Sequence, residues 1–415
     1  MGFQQGLSGL NAASKNLDVI GHNIANSGTV GFKASRTEFD EMVASAIGSA
    51  NGTNGGIGVS VGAIAQQFTQ GNISVTGNNL DVAINGNGFF QIQQNDGTMA
   101  YTRAGNFKLD KDGNVITNAG GKVMGYPVDP ATGKPTAGSP RPLVFPTGAP
   151  IPAKQTENAK VTFNLDARAV AAATATPPTP RATYGTSITV YDSQGVPNTV
   201  SLYFEKTGTA NTWNVYTSLD ATVQPPPGIG QISFDGNGKI LTGSTLTLSI
   251  NPSPANPNSP PTPSGTPGPF PVEFDFSDST QYGTKWAVSE STQDGYTAGQ
   301  LTGINIGTDG TILTRYSNGV TRPEGVVSLA TFRNTQGLSD IGNNLWVETY
   351  ESGQPTVGQP TNGACGQLRS GALEDSNVDL TAELVNMMTA QRAYQANAQT
   401  IKTQDQIMST LVNLR

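Results

Sequence analysis

Few residues of this chain have the types and spacing that catalysis needs. Gly58, Ser60 and Gly62 match the G-x-S-x-G pattern of a hydrolase nucleophile elbow. Such a serine needs a histidine base, an orienting acid and a strand–turn–helix setting. The chain has one histidine, His22, which lies in a helical pattern near the N-terminus. Because Ser60 stands in continuous period-two alternation, we predict a strand here and no nucleophile.

The acidic stretches favour turns over metal binding. Asp110 opens the segment DKDGN, which resembles the start of a calcium loop. An EF-hand needs glycine at its sixth position and a carboxylate at its twelfth, and these positions hold Val115 and Gly121. His22 has no second histidine, and Cys365 is the one cysteine, so neither a thiolate cage nor an intrachain disulfide can form. We therefore expect no catalytic residue, no metal, no cofactor and no enzymatic activity.

The charge composition argues against nucleic-acid and membrane partners. Charged residues make up 13% of the chain and the net charge is −7, whereas an average domain has about 25% charged residues. The sequence contains no basic cluster that would neutralise phosphates. It also contains no apolar run of about 18 residues and no signal-peptide pattern at its start. We expect no nucleic-acid binding, no membrane insertion, and a protein that is cytosolic or exported without a cleaved leader.

Both ends of the chain carry apolar residues at heptad spacing. The first series is Phe3, Leu10, Leu17 and Ile24, with Ala13 and Ile20 on a second seam, and the last series is Leu380, Met387, Tyr394, Ile401 and Met408. A heptad series needs a facing helix to bury it. We therefore predict terminal helices that pair with each other, with other copies of the chain, or both.

The helix boundaries are predicted from their capping residues. The first helix spans residues 3–26, with Asn26 or Gly28 as the left-handed cap. The last helix begins near residue 373 or 378, with an N-cap in the cluster Asp375 to Asn377, and runs almost to Arg415. Residues 32–47 fit neither a helical nor a strand period clearly.

Between the terminal helices the apolar period changes to two, and glycine turns separate short strands. The predicted fold is multidomain and mainly β, with long terminal α-helices forming a coiled-coil-like inner domain. Two antiparallel β domains lie in the middle, the second inserted into the first. The predicted divisions are 1–30 with 373–415 (terminal helices), 31–71 with 360–372 (connecting segment), 72–147 with 291–359 (first β domain) and 148–290 (inserted β domain).

Three motifs resemble the signatures of bacterial flagellar rod and hook proteins, a family of axial proteins. The N-terminal motif is LDVIGHNIANSGTVGFK at 17–33, which contains Asn23, Ala25, Asn26, Gly28, Thr29, Gly31, Phe32 and Lys33. The central motif is GNGFF at 86–90 with YTRAGNF at 101–107. The C-terminal motif is SNVDL at 376–380 with QRAYQAN at 391–397. His22 stands where the family more often has asparagine, a departure that keeps a polar side chain.

The resemblance implies a structural subunit that self-assembles into a tube. The length of this chain and its predicted inserted domain favour the hook-forming branch of the family. The curved, flexible polymer of that branch acts as a universal joint between rod and filament. The terminal helices would line the export channel, and the inserted domain would lie outermost. Expected partners are other copies of the chain, distal rod, hook cap and hook–filament junction proteins, and the flagellar type III export apparatus. The expected location is extracellular, in the hook and basal body.

Two other functions remain open from the sequence. One is a distal rod protein of the same family, and the other is a secreted β-rich binding module. A binding module would not need heptads at both ends, whereas a polymer subunit would. The glycines at Gly28, Gly31 and 48–58 are predicted joints that let helices and β layers tilt independently.

Overall fold

The computed structural model describes residues 2–43, 56–129, 133–136, 138–145, 150–172, 174, 179–217, 229–250 and 268–413. The chain forms two compact units. The first contains residues 1–148, 302–315 and 321–415, and the second contains residues 149–301 and 316–320. The fold is mainly β with a long helix near each end of the chain, which confirms the predicted multidomain fold class.

The strands are short and follow one another closely along the chain. The first ten are β1 (Ser35–Val43), β2 (Gly56–Gln66), β3 (Ile73–Val75), β4 (Val82–Asn85), β5 (Phe89–Gln93), β6 (Met99–Thr102), β7 (Lys108–Leu109), β8 (Val115–Ile116), β9 (Lys122–Pro127) and β10 (Arg141–Pro142). The next ten are β11 (Asn158–Asp166), β12 (Gly185–Tyr191), β13 (Pro197–Lys206), β14 (Thr212–Tyr216), β15 (Gly230–Phe234), β16 (Ile240–Thr242), β17 (Thr245–Ile250), β18 (Phe270–Asp275), β19 (Thr280–Tyr282) and β20 (Ala287–Gln293). The last nine are β21 (Leu301–Ile306), β22 (Thr311–Tyr316), β23 (Thr321–Val327), β24 (Leu329–Thr331), β25 (Ser339–Gly342), β26 (Leu345–Val347), β27 (Thr356–Gly358), β28 (Gln367–Ser370) and β29 (Ala372–Glu374).

The helices are α1 (Gly2–Ala25) and α2 (Leu380–Asn413). The predicted N-cap of the last helix was wrong, because β29 occupies the chain up to residue 374 and the helix starts later. The cap is Asp379, whose Oδ1 accepts the backbone N–H groups of Thr381 at 2.9 Å and Ala382 at 3.1 Å. These bonds satisfy N–H groups that have no partner within the helix.

The left-handed residue after α1 is Gly31, with φ +69°. Asn26 and Gly28 do not have positive φ, so the predicted cap position was wrong by several residues. Instead, the Asn26 N–H donates to the carbonyls of His22 and Asn23 at 3.1 and 3.2 Å, and the turn continues before the chain reverses at Gly31.

In the first unit, the larger sheet has the strand order β21-β22-β23-β9-β5-β6-β26-β25. Its core contains Phe89, Tyr101, Ala330 and Trp346. Two small antiparallel pairs join distant parts of the chain, β28 with β4 and β29 with β3. The segment whose sequence period was unclear forms β1, which pairs antiparallel with β2.

The second unit has two sheets around one core. One sheet has the order β17-β18-β11-β19, with β20 also paired to β11, and the other is the meander β12-β13-β14-β15-β16. Period-two alternation buries one face of each strand; β11, for example, buries Val161, Phe163 and Leu165. The proline-rich runs around residues 175–178, 225–227 and 252–267 lie outside the described residues.

Candidate functional site at the junction of the terminal segments

Helices α1 and α2 pack against each other in antiparallel orientation. A Cβ atom added to Gly6 would lie 3.1 Å from Cγ1 of Ile401, and one added to Gly9 would lie 2.9 Å from Nδ2 of Asn397. The two glycines therefore allow a closer approach of the helices than larger residues would. Within the single chain, the terminal helices thus pair with each other, one of the arrangements that the heptads predict.

The most buried side chains of α1 are not those of the predicted series Phe3, Leu10, Leu17 and Ile24. Ala12, Ala13, Val19 and Ile20 are buried, so the second seam of the prediction carries the deepest contacts. Leu10, Leu17 and Ile24 are half-buried, and Phe3 is exposed. The close approach at Gly6 and Gly9 suits small neighbours such as Ala12 and Ala13. Val19 and Ile20 are buried farther along α1, where they lie near Glu383 and Asn386 of α2.

On α2 the predicted heptad divides between the helix contact and the surface. Met387 and Ile401 are half-buried, and Tyr394 is 37% exposed. Leu380 and Met408 are 46% and 60% exposed. The role of these heptad residues in contacts between subunits stays a prediction.

Two asparagines attach the helix ends to the strands. The Asn23 side chain donates to the Ser35 carbonyl at 2.8 Å and accepts the Ser35 N–H at 2.9 Å. The Asn377 side chain accepts the Ala34 N–H at 2.7 Å and donates to the Gln67 carbonyl at 2.7 Å. Each amide side chain satisfies one backbone donor and one backbone acceptor, so both asparagines fix the first residues of β1.

A buried ion cluster lies next to these asparagines. Lys33 Nζ donates to Glu374 Oε1 at 2.6 Å and to the Thr69 carbonyl at 2.8 Å. Arg103 Nη1 donates to Glu374 Oε2 at 3.2 Å, and its Nη2 donates to the Gly86 carbonyl at 2.9 Å. The side chains of Lys33 and Glu374 are 0% exposed and that of Arg103 is 5% exposed. One carboxylate therefore joins two cations from distant segments.

The electrostatics of the cluster follow from its burial. Burial lowers the pKa of Lys33 below its ordinary value, while the charge of Glu374 opposes this shift. Burial also lowers the pKa of Arg103, against the same opposing charge. The Arg103 guanidinium lies 5.2 Å from the centroid of the Phe89 ring, a cation–π distance. The cluster can hold segments in place, and no reactive group in it faces solvent.

Gly31 is required by this arrangement. Its N–H donates to the Glu374 carbonyl at 2.8 Å. An added Cβ would lie 2.6 Å from the backbone nitrogen of Ala104, and φ is positive. Close packing therefore explains this glycine, and its predicted role as a joint stays a prediction. The other predicted joint, 48–58, falls mostly outside the described residues.

The remaining residues of the N-terminal motif lie at the end of α1 and in the turn that follows it. Phe32 is buried and its ring lies 5.4 Å from that of His22. Thr29 donates to Asn26 Oδ1 at 3.2 Å. Ala25 and Gly28 are exposed.

The cluster connects the three sequence motifs, but the sequence analysis did not identify it. Lys33 closes the N-terminal motif, Arg103 lies in the central motif, and Glu374 lies two residues before the C-terminal motif. Lys33 follows Gly31 and Phe32 and precedes Ala34, a setting that indicates a buried lysine. Because a buried ammonium is rarely unpaired, this setting was a signal that a counterion was needed. Sequence spacing gave no means of choosing Glu374.

The residues considered for catalysis and metal binding have structural roles. Ser60 lies in β2 opposite Asp40, as the period-two prediction requires. The Asp110 carboxylate accepts the N–H groups of Asp112 and Asn114 at 2.9 and 2.7 Å, which closes a tight turn. Burial raises the pKa of the half-buried Cys365 thiol. Across the part of the chain that the structure describes, no cluster of three His, Cys, Asp or Glu side chains has metal-binding geometry, and no helix has the length and apolarity needed to cross a membrane.

Family models match the chain in four segments. They are flagella basal body rod protein at residues 3–33, flagellar hook protein FlgE/F/G D1 domain at 83–167, flagellar basal body protein FlaE D2 domain at 164–296, and flagellar basal body rod FlgEFG protein C-terminal at 369–414. The three residues of the ion cluster fall in or at the edge of three of these segments.

Relatives match over the full length. The flagellar hook protein FlgE of Salmonella typhimurium is 41% identical over 434 residues, and that of Escherichia coli K12 is 42% identical over 435 residues, with 100% of each chain covered. The crystal structure of Helicobacter pylori flagellar hook protein FlgE2 is similar in fold, with a TM-score of 0.51 and 16% identity over 72% of this chain and 100% of that one. On these grounds the chain belongs to the flagellar hook protein family.

Proposed function

We propose that this hook-family subunit assembles with copies of itself into a tube, and that the α1–α2 pair forms its inner wall. One observation carries the proposal. Helix α2 pairs with α1 along one side and leaves large apolar side chains uncovered near its N-terminal end. These are Leu380, Leu384, Val385 and Met388, which are 46–53% exposed.

The uncovered side chains provide a driving force for assembly. Burying a large apolar side chain fully contributes about 1.5–3 kcal/mol. A half-exposed side chain has roughly half of this to gain, so four side chains supply about 3–6 kcal/mol per subunit before the cost of association is subtracted. Further contacts are therefore needed for a stable polymer, and the exposed Phe3 and Met408 offer two of them.

The proposed layers follow the sequence divisions. Residues 1–30 with 373–415 form the inner layer around the export channel, 31–71 with 360–372 connect it, 72–147 with 291–359 form the middle layer, and 148–290 lies outermost. Low charge supports this arrangement, since polar contacts bridged by water re-form easily when subunits slide. Such sliding would let the tube bend while it transmits torque from the rod to the filament, as a universal joint does.

The proposed partners are those of a hook subunit. They are other copies of the chain, the distal rod, the hook cap, the hook–filament junction proteins and the type III export apparatus. Export would proceed without a cleaved signal peptide, and the mature protein would be extracellular. The protein would act without catalysis, since its buried charged cluster holds segments together and presents no reactive group to solvent.

Electron microscopy of concentrated protein tests the proposal. We expect curved tubes from the wild-type chain, and folded monomers from a Leu384→Asp, Met388→Asp variant. Gln395→Asp, an exposed position of the same helix, is the matched control and should still form tubes. A wild-type chain that stays monomeric under all conditions, or a double variant that assembles normally, would refute the proposal.

A further inference from the structure

The most exposed aromatic side chain among the described residues is Tyr350, which lies between β26 and β27 with a relative exposure of 102%. The other exposed phenylalanine and tyrosine side chains there are 37–52% exposed, namely Tyr394, Phe39, Tyr282 and Phe3. An aromatic ring gains free energy by lying against apolar surface of its own chain. The Tyr350 ring forgoes this gain completely, so its position needs a structural cause.

The cause is a loop that hydrogen bonds hold in one conformation. Thr349 Oγ1 accepts the Ser352 N–H at 3.3 Å and donates to the Gly337 carbonyl at 2.5 Å. Ser352 is 2% exposed, and its Oγ accepts the Thr349 N–H at 2.9 Å. These bonds attach the loop to the 3-10 turn Thr335–Gly337 and leave Tyr350 pointing outward. Little backbone freedom is therefore lost when the ring meets a partner, which favours binding.

An open hollow of about 490 Å³ lies in the same unit, with Thr335 in its wall. Three aromatic rings line it and define it here as the phenylalanine hollow. Phe89 is buried, whereas Phe68 and Phe332 are half-buried and reachable from solvent. The lining contains no carboxylate among the described residues. The exposed residues at its rim include Arg333, Thr356 and Ala364.

The phenylalanine hollow has the chemistry that a tyrosine ring requires. Phe89 meets Phe68 and Phe332 edge to face, with ring centroids 5.7 and 5.9 Å apart. A further ring can join such a cluster in the same geometry. Arg333 differs from other arginines without an ion pair by its place on this rim, where its guanidinium can stack on an aromatic face. The Thr356 hydroxyl can bond a phenol.

We propose that the Tyr350 ring of one subunit inserts into the phenylalanine hollow of a neighbouring copy. The inference rests on the proposed self-assembly and specifies one of its contacts. The ring packs against Phe68 and Phe332, and Arg333 lies over its face. Tyrosine is among the residues that most often dominate the energy of an interface. The ring and the hollow are different surfaces of the subunit, so their contact is heterologous and can repeat from copy to copy along a tube.

Variants of the full-length chain test the contact through the critical concentration for tube formation. Tyr350→Ala should raise it about tenfold or more, and Tyr350→Phe should raise it less because the ring remains. Gln354→Ala, an exposed position of the same loop, is the matched control and should leave it unchanged. Thr356→Trp should fill the hollow and act like Tyr350→Ala. The two changes together should raise the critical concentration no further than either alone, since both remove one contact.

Photo-cross-linking gives a second measurement that needs no change in the hollow. Tyr350 is replaced by the photoreactive p-benzoylphenylalanine, and this chain is polymerised with an excess of isotopically heavy wild-type chain. Irradiation of the tubes should join position 350 to heavy peptides that contain Phe332 or Thr356, whereas irradiated monomers should give no such product. The heavy isotope distinguishes a contact between subunits from a contact within one chain.

Three results would overturn the inference while the proposed function stands. They are tubes in which Tyr350→Ala leaves the critical concentration unchanged, cross-links from position 350 to peptides outside the hollow, and cross-links confined to the light chain. Circular dichroism of the monomers checks that each variant folds. The fully exposed Tyr350 side chain makes no packing contact with its own chain, so its variants should fold normally. A wild-type chain that forms no tubes would overturn both proposals.

Discussion

Replacing Glu374 with glutamine should destabilise the first unit strongly. The substitution keeps the shape of the side chain but removes the charge that Lys33 and Arg103 share. Glu374 Oε1 accepts from Lys33 at 2.6 Å and from the N–H of Gly71 at 2.9 Å, and Oε2 accepts from Arg103 at 3.2 Å. Two buried cations would remain without an anion. Breaking a buried ion pair by removing one partner costs about 3–5 kcal/mol, a large part of a typical free energy of unfolding of about 5–15 kcal/mol.

Native-state hydrogen exchange in urea is the suitable assay, because peptides from residues 31–34 and 103–106 report on the first unit alone. Glu374→Gln should lower their free energy of opening by about 3–5 kcal/mol. The matched control is Glu38→Gln, since the Arg36–Glu38 pair is 46–66% exposed and should contribute less than about 1 kcal/mol. If the two variants differ by less than about 1 kcal/mol, the cluster does not stabilise the fold through its charge, and the reasoning fails.

Three further predictions concern the same unit. Gly9→Val should separate α1 from α2 and reduce the helical circular dichroism signal, whereas Gly21→Ala, where an added Cβ meets nothing within 4 Å, should stabilise α1 by up to about 1 kcal/mol. Gly31→Ala should lower the free energy of unfolding by about 2 kcal/mol or more in urea titration, because it adds left-handed strain to a backbone clash. Burial, with the charge of Glu348, raises the pKa of Tyr101 above its usual value. Its contribution to stability is therefore complete below about pH 10 and is lost as pH rises through the raised pKa, so Tyr101→Phe should lose less stability than the wild type between about pH 10 and 12.

The sequence predicted those parts of the fold that depend on the local spacing of apolar residues. The heptads marked both helices, and period-two alternation marked strands such as β11, whose alternate residues fill the core. Helix starts were less predictable, because Asp375 and Asp379 are equally good caps in isolation. The pairing of β29 with β3 decided the question, since it holds residues 372–374 in a strand. This contact joins positions about 300 residues apart, and no local pattern encodes it.

The ion cluster was unpredictable for a similar reason. Lys33 and Glu374 are 341 residues apart in sequence, so their pairing depends on the whole unit having folded. The sequence also gave no sign that Gly6 and Gly9 lie at the contact between α1 and α2. Heptad reasoning favours large apolar residues, whereas Gly6 and Gly9 reduce helix propensity and read as weaknesses. Gly6 and Gly9 are needed only because α2 packs against them, where a larger side chain would crowd Ile401 or Asn397.

The small residues of α1 also explain why α2 has apolar side chains to spare. At Gly6 and Gly9 the helices approach closely, against Ile401 and Asn397 of α2, and the pairing leaves Leu380, Leu384, Val385 and Met388 46–53% exposed. Besides this packing, directional polar contacts of Asn23 and Asn377 hold the ends of the terminal segments against the start of β1. Directional contacts fix position without consuming apolar surface. The same chain can thus present a defined helix pair and keep Leu384 and Met388 for its neighbours, a combination that a fully apolar seam within the subunit would not permit.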